Sequence, residues 1–576
     1  MIAKKWTALF TLTVLVGIVL SACATPTPEV IEKVVTQVVK ETIKETVVVE
    51  GTPQVVEKEV TKLVEKVVTP TPSGPSRGGT LYIGRMEDTE TLDPQNSTTI
   101  SSIEIDMMIY DSLVLFDYDM SIKPSLAESW EVSDDGTEYT FKLKDGVTFH
   151  SGDPFTAEDV VFTFERWKAF EGSPSAYNIA QVQKVEALDD LTVKFTLEAP
   201  YAIFLSKVAS GWASILNKDF TEAAGEDYGV TVVDGTGPYK FVSWTRQEEL
   251  VLERNEAYAW GSEIFDNQGA PYVDKIVWVL IPEAATRYAA LVAGDIHMVP
   301  DVPAVRVASL VQHEGVNTIV FPQLNTSFMG MAIDKAPLDD IRVRRAINHA
   351  IDKVAIAEGA YYGLAEAGWG PIAPGTWGYW PGVQEIGYGY DQDKAVQLLE
   401  EAGWTEVNED GIRVKDGQPL KLMLYWSSGA EMETIVPIMQ DQLRQVGMDV
   451  ELNLLEWTTY LEALRNHEHE LMTMTVRYTD ADILYFYFHS AQLPAPNRFA
   501  WDDPTTDELL DLSRTSVDEN ERLEAYKELQ RIVIENAIWV PLLHSKRVAA
   551  ARDVVQGVRI HPDNIFYKGL DLWLKE

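Results

Sequence analysis

The order of elements between Leu420 and Trp457 constrains this chain more than any other feature. "LKLMLYWSSG" (Leu420–Gly429) reads as a strand running into a polar loop. "IVPIMQDQLRQVGMDVELNLLEW" (Ile435–Trp457) reads as a helix, a glycine and a second strand. A strand–helix–strand unit implies an α/β domain with a partly parallel sheet. Two more helices precede it. "LDDIRVRRAINHAIDKVAIAEG" (Leu338–Gly359) sets Val343, Ile347, Ala350, Ile351 and Val354 on one face, and "DQDKAVQLLEEAGW" (Asp391–Trp404) ends with Gly403 at the C′ position. The first half of the chain has a different period. "GGTLYIG" (Gly78–Gly84) predicts the first strand of the folded body. "EVSDDGTEYTFKLKDGVTFHSG" (Glu131–Gly152) predicts hairpins: Tyr139, Phe141 and Leu143 alternate with polar residues, and Asp-Gly turns fall at 135–136 and 145–146. "TAEDVVFTFERW" (Thr156–Trp167) predicts a helix capped by its threonine, and "DDLTVKFTLEAP" (Asp189–Pro200) another strand.

The N-terminus is built differently. Lys4 and Lys5 precede an apolar run, Trp6–Leu20, too short to span a bilayer comfortably, and Leu20-Ser21-Ala22-Cys23 follows. This is a signal-peptide layout, and Leu-Ser-Ala-Cys resembles a bacterial lipobox. The resemblance implies cleavage before Cys23 and lipid attachment to its thiol; Cys23 is the only cysteine in the chain. Ala24–Ser76 is bounded by "TPTP" and "TPTPSGPS" and is rich in Val and Thr. The 4-3-4 spacing of Val56, Val60, Leu63 and Val67 permits a short helix, so the segment is read as a tether with optional local helix.

At 576 residues the chain has length for three or four domains. With 89 acidic against 48 basic residues its formal net charge is −41, which argues against nucleic acid as a partner and disfavours adsorption to anionic lipid. No Gly-x-Ser-x-Gly, Walker loop or His-Glu-x-x-His is present, so no enzyme constellation emerges and no cofactor is expected. "GTGPY" (Gly235–Tyr239) lacks the Lys-Ser/Thr of a phosphate loop. His467 and His469 in "NHEHE" could hold a metal or simply end a solvated helix; no metal site is assigned.

Four stretches together carry a family resemblance: Pro124–Arg166, Gly235–Tyr258, Pro337–Lys353 and Tyr390–Trp404. In this order they resemble the family 5 solute-binding proteins of ABC transporters, the peptide/nickel/oligosaccharide-binding group, over nearly everything from Arg77 onward. The resemblance implies an α/β, two-lobed periplasmic-binding-protein-like fold (type II, cluster C-like) with an extra β-rich subdomain. Its implied divisions are signal peptide 1–22, lipidated Cys and tether 23–76, lobe I from 77–118, 236–312 and 535–576, the β-rich subdomain 119–235, and lobe II 313–534. It also implies a non-enzymatic, extracytoplasmic receptor, monomeric and held to the membrane only by its lipid. Such a receptor delivers a peptide to an ABC permease, with an oligosaccharide or a nickel chelate as the alternative ligand. A structural envelope lipoprotein is the remote alternative.

Site residues follow from the same likeness. In peptide-binding members a strand of the α/β lobe ends in a Trp-rich turn whose Asp meets the ligand's α-amino group. "RYTDADILY" (Arg477–Tyr485) falls there, with Ile483 where the family has Pro. Asp480 is the first choice for that anchor and Asp482 the second; alternatively both cap the turn. Arg477 would neutralise the site or take a ligand carboxylate. "GWGPIAPGTWGYWPG" (Gly368–Gly382) supplies Trp369, Trp377 and Tyr379, either as pocket lining or as a plug in the core. Trp426 and Asn325 are further candidate contacts, the latter near the expected crossing between lobes.

Overall fold

The computed structural model describes residues 33–49, 52–68, 74–97, 99–429, 432–562 and 567–575. Cys23 and the signal-like segment 1–22 lie outside the described residues. Strands β1 (Lys33–Val49) and β2 (Thr52–Val68) pair antiparallel as a two-stranded hairpin. The helix that the 4-3-4 spacing permits is not formed. β-Branched Val and Thr lose side-chain freedom in a helix and fit a pleated strand, so propensity overrides the spacing.

The folded body is organised on one twelve-stranded mixed sheet. In its N-terminal part, β3 (Thr80–Arg85) is followed by helix α1 (Ile100–Ile109). A separate four-stranded antiparallel sheet then forms from β4 (Ala127–Val132), β5 (Glu138–Leu143), β6 (Val182–Asp189) and β7 (Thr192–Leu197). The expected turns are there: Gly136 and Gly146 have φ of 69° and 78°, the left-handed region that glycine enters without strain. Helix α2 (Ala157–Ala169) begins where Asp159 accepts a hydrogen bond from the Thr156 backbone N–H at 2.9 Å. Tyr139, Phe141, Phe164, Trp167 and Phe195 fill the core of this unit. The short helix α3 (Phe204–Val208) leaves it toward the other half of the chain.

The strands Tyr239–Thr245, Glu249–Arg254 and Lys275–Leu280 then return to β3, the last running parallel to it. β8 (Val316–Pro322) and β9 (Asn325–Met331) follow in direct succession. The long apolar face 338–359 is two helices, Ile341–Ala350 and Lys353–Ala360, because Asp352 breaks the first and caps the second by accepting from Ala355 N–H at 2.9 Å. The helix Gln392–Glu401 closes at Gly403, φ 94°.

The diagnostic unit is formed as read: β10 (Lys421–Ser427), α4 (Met432–Gln445) and β11 (Asp449–Leu455), with β10 and β11 parallel. Strand β12 (Leu471–Arg477) lies antiparallel to β9 and is also parallel to β10. Finally β13 (Trp539–Arg552) crosses the sheet, pairing β9 with its first residues and β8 with its last.

At that crossing the fully buried Phe328 of β9 stacks on Trp539 of β13, ring centroids 3.6 Å apart and planes 3° from parallel. Truncation there leaves a cavity between two strands that cannot move apart. Phe328→Ala should therefore cost about 3–5 kcal/mol of unfolding free energy, measured by urea denaturation followed by tryptophan fluorescence.

Candidate functional site

Strand β12 ends at Arg477. The chain turns through Tyr478–Asp482 and enters helix α5 (Ile483–Phe488), which carries the aromatic run. Tyr478 fixes the turn from behind: its hydroxyl accepts from Ala373 N–H at 2.7 Å and meets Thr326 Oγ1 at 2.5 Å. The loop 368–382 is thereby tied to the strand end. Trp377 pairs with Asp480 through an isolated backbone bridge, and Ala481 N–H donates to the Trp377 carbonyl at 3.1 Å. Two stretches a hundred residues apart in sequence thus form one wall.

The two carboxylates of the turn differ sharply. Asp482 accepts a two-pronged ion pair from Arg514, Nε to Oδ1 at 2.7 Å and Nη2 to Oδ2 at 3.0 Å. Arg514 is itself stacked on Tyr485, 3.5 Å from the ring centroid, and its backbone carbonyl accepts from Ala202 N–H at 2.7 Å. Burial works against the Arg514 charge, but the bonds to Asp482 outweigh it and raise its pKa. Asp482 is a structural counter-ion.

Asp480 is buried as well, 6% exposed, yet only one of its oxygens is used: Oδ1 accepts from Asp482 N–H at 3.0 Å. Oδ2 is buried without a hydrogen-bond partner. Burial pushes the Asp480 carboxyl up, Lys207 at the end of α3 pulls it back, and neighbouring Asp482 pushes it up again. A buried carboxylate oxygen without a donor is costly, and a bound cation would relieve that cost.

The remaining expected residues divide among three places. Asn325 and Arg477 line a cavity of about 380 Å³ at the ends of β10 and β12, together with Ser427, Trp457, Tyr460 and Thr473. Asn325 is committed to the strand crossing: its Nδ2 donates to Ser545 Oγ at 2.6 Å and its Oδ1 accepts from Ser545 N–H at 3.0 Å. Trp426 is buried in the core of the α/β half, its indole N–H without a hydrogen-bond partner. Trp369 and Tyr379 line a second cavity of about 210 Å³ with Glu358, Glu366 and His544. There the Lys353 ammonium lies 4.7 Å from the Trp369 ring centroid, and burial pulls its pKa down to about 7. Trp377 joins Asp480, but its indole N–H donates to Glu519 at 3.1 Å and its ring carries Arg522. His467 is held by Asp334 at 2.9 Å, and among the described residues no group of three or more His, Cys, Asp or Glu is arranged to hold a metal.

Arg514, Lys207 and Thr473 were not anticipated. Arg514 and Lys207 come from distant stretches with no motif of their own, and only the folded chain brings them to the turn.

The separation of roles has a measurable consequence in the ligand-free protein. Asp482→Asn breaks a buried ion pair and should destabilise by about 3–5 kcal/mol. Asp480→Asn removes a poorly solvated carboxylate and should be neutral or stabilising. The sign with pH follows from the raised folded pKa of Asp480. The folded state holds the proton to higher pH than the unfolded chain does, so wild-type stability falls as pH rises through that interval. The Asp480→Asn variant lacks this component, and melting temperatures of the two across the carboxylate range should diverge as pH rises.

Comparison with known proteins bears on this geometry. The family model described as bacterial extracellular solute-binding proteins, family 5, middle region, matches residues 121–493. The dipeptide-binding protein of Escherichia coli K12 is 30% identical over 504 residues, 82% of this chain and 90% of its own length. The oligopeptide-binding protein AppA of Bacillus subtilis, solved with a nonapeptide, superposes with a TM-score of 0.68 at 26% identity. That match covers 87% of this chain and all of the other, 100%. DppA of Helicobacter pylori, solved with the peptide STSA, gives 0.69 at 29% identity over 87% and 99% of the two chains.

Proposed function

The chain belongs to family 5 of the bacterial extracellular solute-binding proteins, transport receptors rather than enzymes, and from that premise we propose that its solute is a peptide held by its free amino group at Asp480. The observation that carries this reading is the buried, partnerless Oδ2 of Asp480. Asp482 is a poor rival because both of its oxygens are engaged by Arg514. An ammonium brought to Oδ2 would make a charge-assisted hydrogen bond away from water, where such bonds are strongest. The names of the E. coli, B. subtilis and H. pylori relatives support peptide as the class. Trp377 and Arg477 are proposed as neighbours of the anchor and Asn325 as lining of the adjoining cavity; Trp369 and Tyr379 line a separate cavity, and Trp426 is a core residue.

The expected division of the chain is part of this proposal. Lobe I comprises 77–118, 236–312 and 535–576, the β-rich subdomain 119–235 and lobe II 313–534; the peptide lies between the lobes. The separate sheet β4–β7 supports the subdomain. A monomer carries the peptide to its ABC permease, anchored by an acylated Cys23. Cys23→Ser should move the protein from the membrane fraction to the soluble fraction, read by immunoblot.

Calorimetry or tryptophan fluorescence with a short peptide and its N-acetylated form tests the anchor. Acetylation of the ligand and Asp480→Asn should each weaken binding about tenfold to a hundredfold, the worth of a hydrogen bond to a charged group. Equal affinity for both forms would remove Asp480 from this role. Mass spectrometry of solute retained by the purified protein separates peptide from oligosaccharide or metal chelate.

A further inference from the structure

We infer that the Tyr526 hydroxyl is a second acceptor for the ligand's ammonium, so that the seat it forms with Asp480 reads the number of N–H groups on the amino end and not its charge alone. The inference rests on the peptide reading and adds to it a specificity-determining residue. Tyr526 belongs to helix α6 (Glu519–Glu535), beyond the turn in the chain. Packing brings it back to the turn. Its ring meets Trp377 edge to face, centroids 5.7 Å apart, and Trp377 is the bridge partner of Asp480. Gly378 lies between the turn and the tyrosine: a methyl group on its α-carbon would stand 2.6 Å from Ala481 Cβ and 3.1 Å from Tyr526 Cδ2. Gln530, one turn further along α6, donates to the Gly378 carbonyl at 2.8 Å and to that of Tyr526 at 2.9 Å, which ties the loop to the helix.

Within this packing two polar atoms are left over. Tyr526 is fully buried and its hydroxyl has no hydrogen-bond partner; Asp480 Oδ2 is in the same condition. Ser513 is the hydroxyl beside the phenol, but its proton goes to the Leu510 carbonyl at 2.8 Å. Burial, and then the charges of Asp482 and Asp480, push the Tyr526 phenol up, so it keeps its proton and its oxygen stays an acceptor. That both aspartates act on the hydroxyl sets this end of the ring toward the turn.

One unsatisfied buried group is a local cost. Two on one wall, a carboxylate oxygen and a phenol oxygen, are the complement of a single donor with several hydrogens. The protein's own cations do not take that place. Arg514 is bound to Asp482, Arg522 lies on the Trp377 ring, and Lys207 reaches Asp480 only through its charge. An ammonium with two or more N–H groups would bond Asp480 and Tyr526 together. An N,N-dimethylated amino end keeps the positive charge but has one N–H, enough for Asp480 alone.

The test is calorimetry on the purified full chain, wild type and Tyr526→Phe, with Ala-Ala-Ala and its N,N-dimethyl form. Wild type should favour the unmodified peptide, and Tyr526→Phe should shrink that preference about tenfold, the worth of a hydrogen bond to a charged group. Crowding by the methyl groups acts on both proteins alike, so the change in the ratio isolates the hydroxyl. Phenylalanine keeps the ring and removes only a partnerless hydroxyl, so the ligand-free melting temperature of the variant should be unchanged or higher. A preference that is absent, or equal in the two proteins, overturns the role of Tyr526 and leaves the Asp480 anchor to its own test by N-acetylation. A lower melting temperature in the variant means that the hydroxyl is bonded in the empty protein, and overturns the seat as well. Failure of wild type to bind either peptide overturns the peptide reading, and this inference with it.

Discussion

Strand Trp539–Arg552 is shared by two halves of the molecule. Trp539–Leu543 pairs with Asn325–Met331, and Lys546–Arg552 pairs with Val316–Pro322. The two partners are consecutive in the chain, separated only by Gln323 and Leu324. Both backbones therefore change partner at the same place, and Asn325 closes the gap by bonding both the amide and the hydroxyl of Ser545. At the switch Leu543–Ser545 pairs with Ala365–Ala367 instead, and the Asn325 side chain satisfies what the ladders leave over. The two halves also meet where Ala202 N–H donates to the Arg514 carbonyl, but at this crossing they are joined by continuous β-ladders.

The turn that holds the candidate anchor shows how the fold separates two chemically identical groups. Asp480 and Asp482 are close together, both buried and both carboxylates. Arg514 reaches only Asp482, and stacking on Tyr485 keeps its guanidinium in place. Asp482 is thus a charge already neutralised, whose attraction to Arg514 offsets its desolvation. Asp480 keeps its desolvation cost, offset in part by Lys207, the Asp482 backbone N–H and Arg522, with no ion pair of its own like that of Asp482. An oxygen left unsatisfied in the ligand-free protein is one place where a bound cation would gain binding energy.

The parallel strand–helix–strand unit was legible because its signal is local: period, glycine and length lie within one short window. The hairpins between Glu131 and Gly152 were legible for the same reason. The break at Asp352 was not, since the apolar face continues across it and only the capping bond to Ala355 reveals the end of the first helix. Spacing misled over Val56–Val67, where β-branched composition was the better guide. The position of the Asp480 turn was readable from its place in the chain, but its internal division was not. Arg514 lies on a helix with ordinary charge patterning, and Lys207 belongs to a segment beyond the β-rich unit. No pattern in either marks a partner for an aspartate hundreds or tens of residues away.

In the aromatic loop, Trp369 and Tyr379 line a cavity and Trp377 is fixed against the Asp480 turn. Trp377 reaches the anchor turn through its backbone while its ring is occupied by Arg522 and its N–H by Glu519. Trp369 instead covers Lys353, whose ammonium has been moved out of water far enough to bring its pKa near neutrality. Indole faces are here answering cations of the protein itself. Tryptophan abundance in such a loop is therefore weak evidence for a stacked sugar, because the rings that would stack are already spent on Lys353 and Arg522.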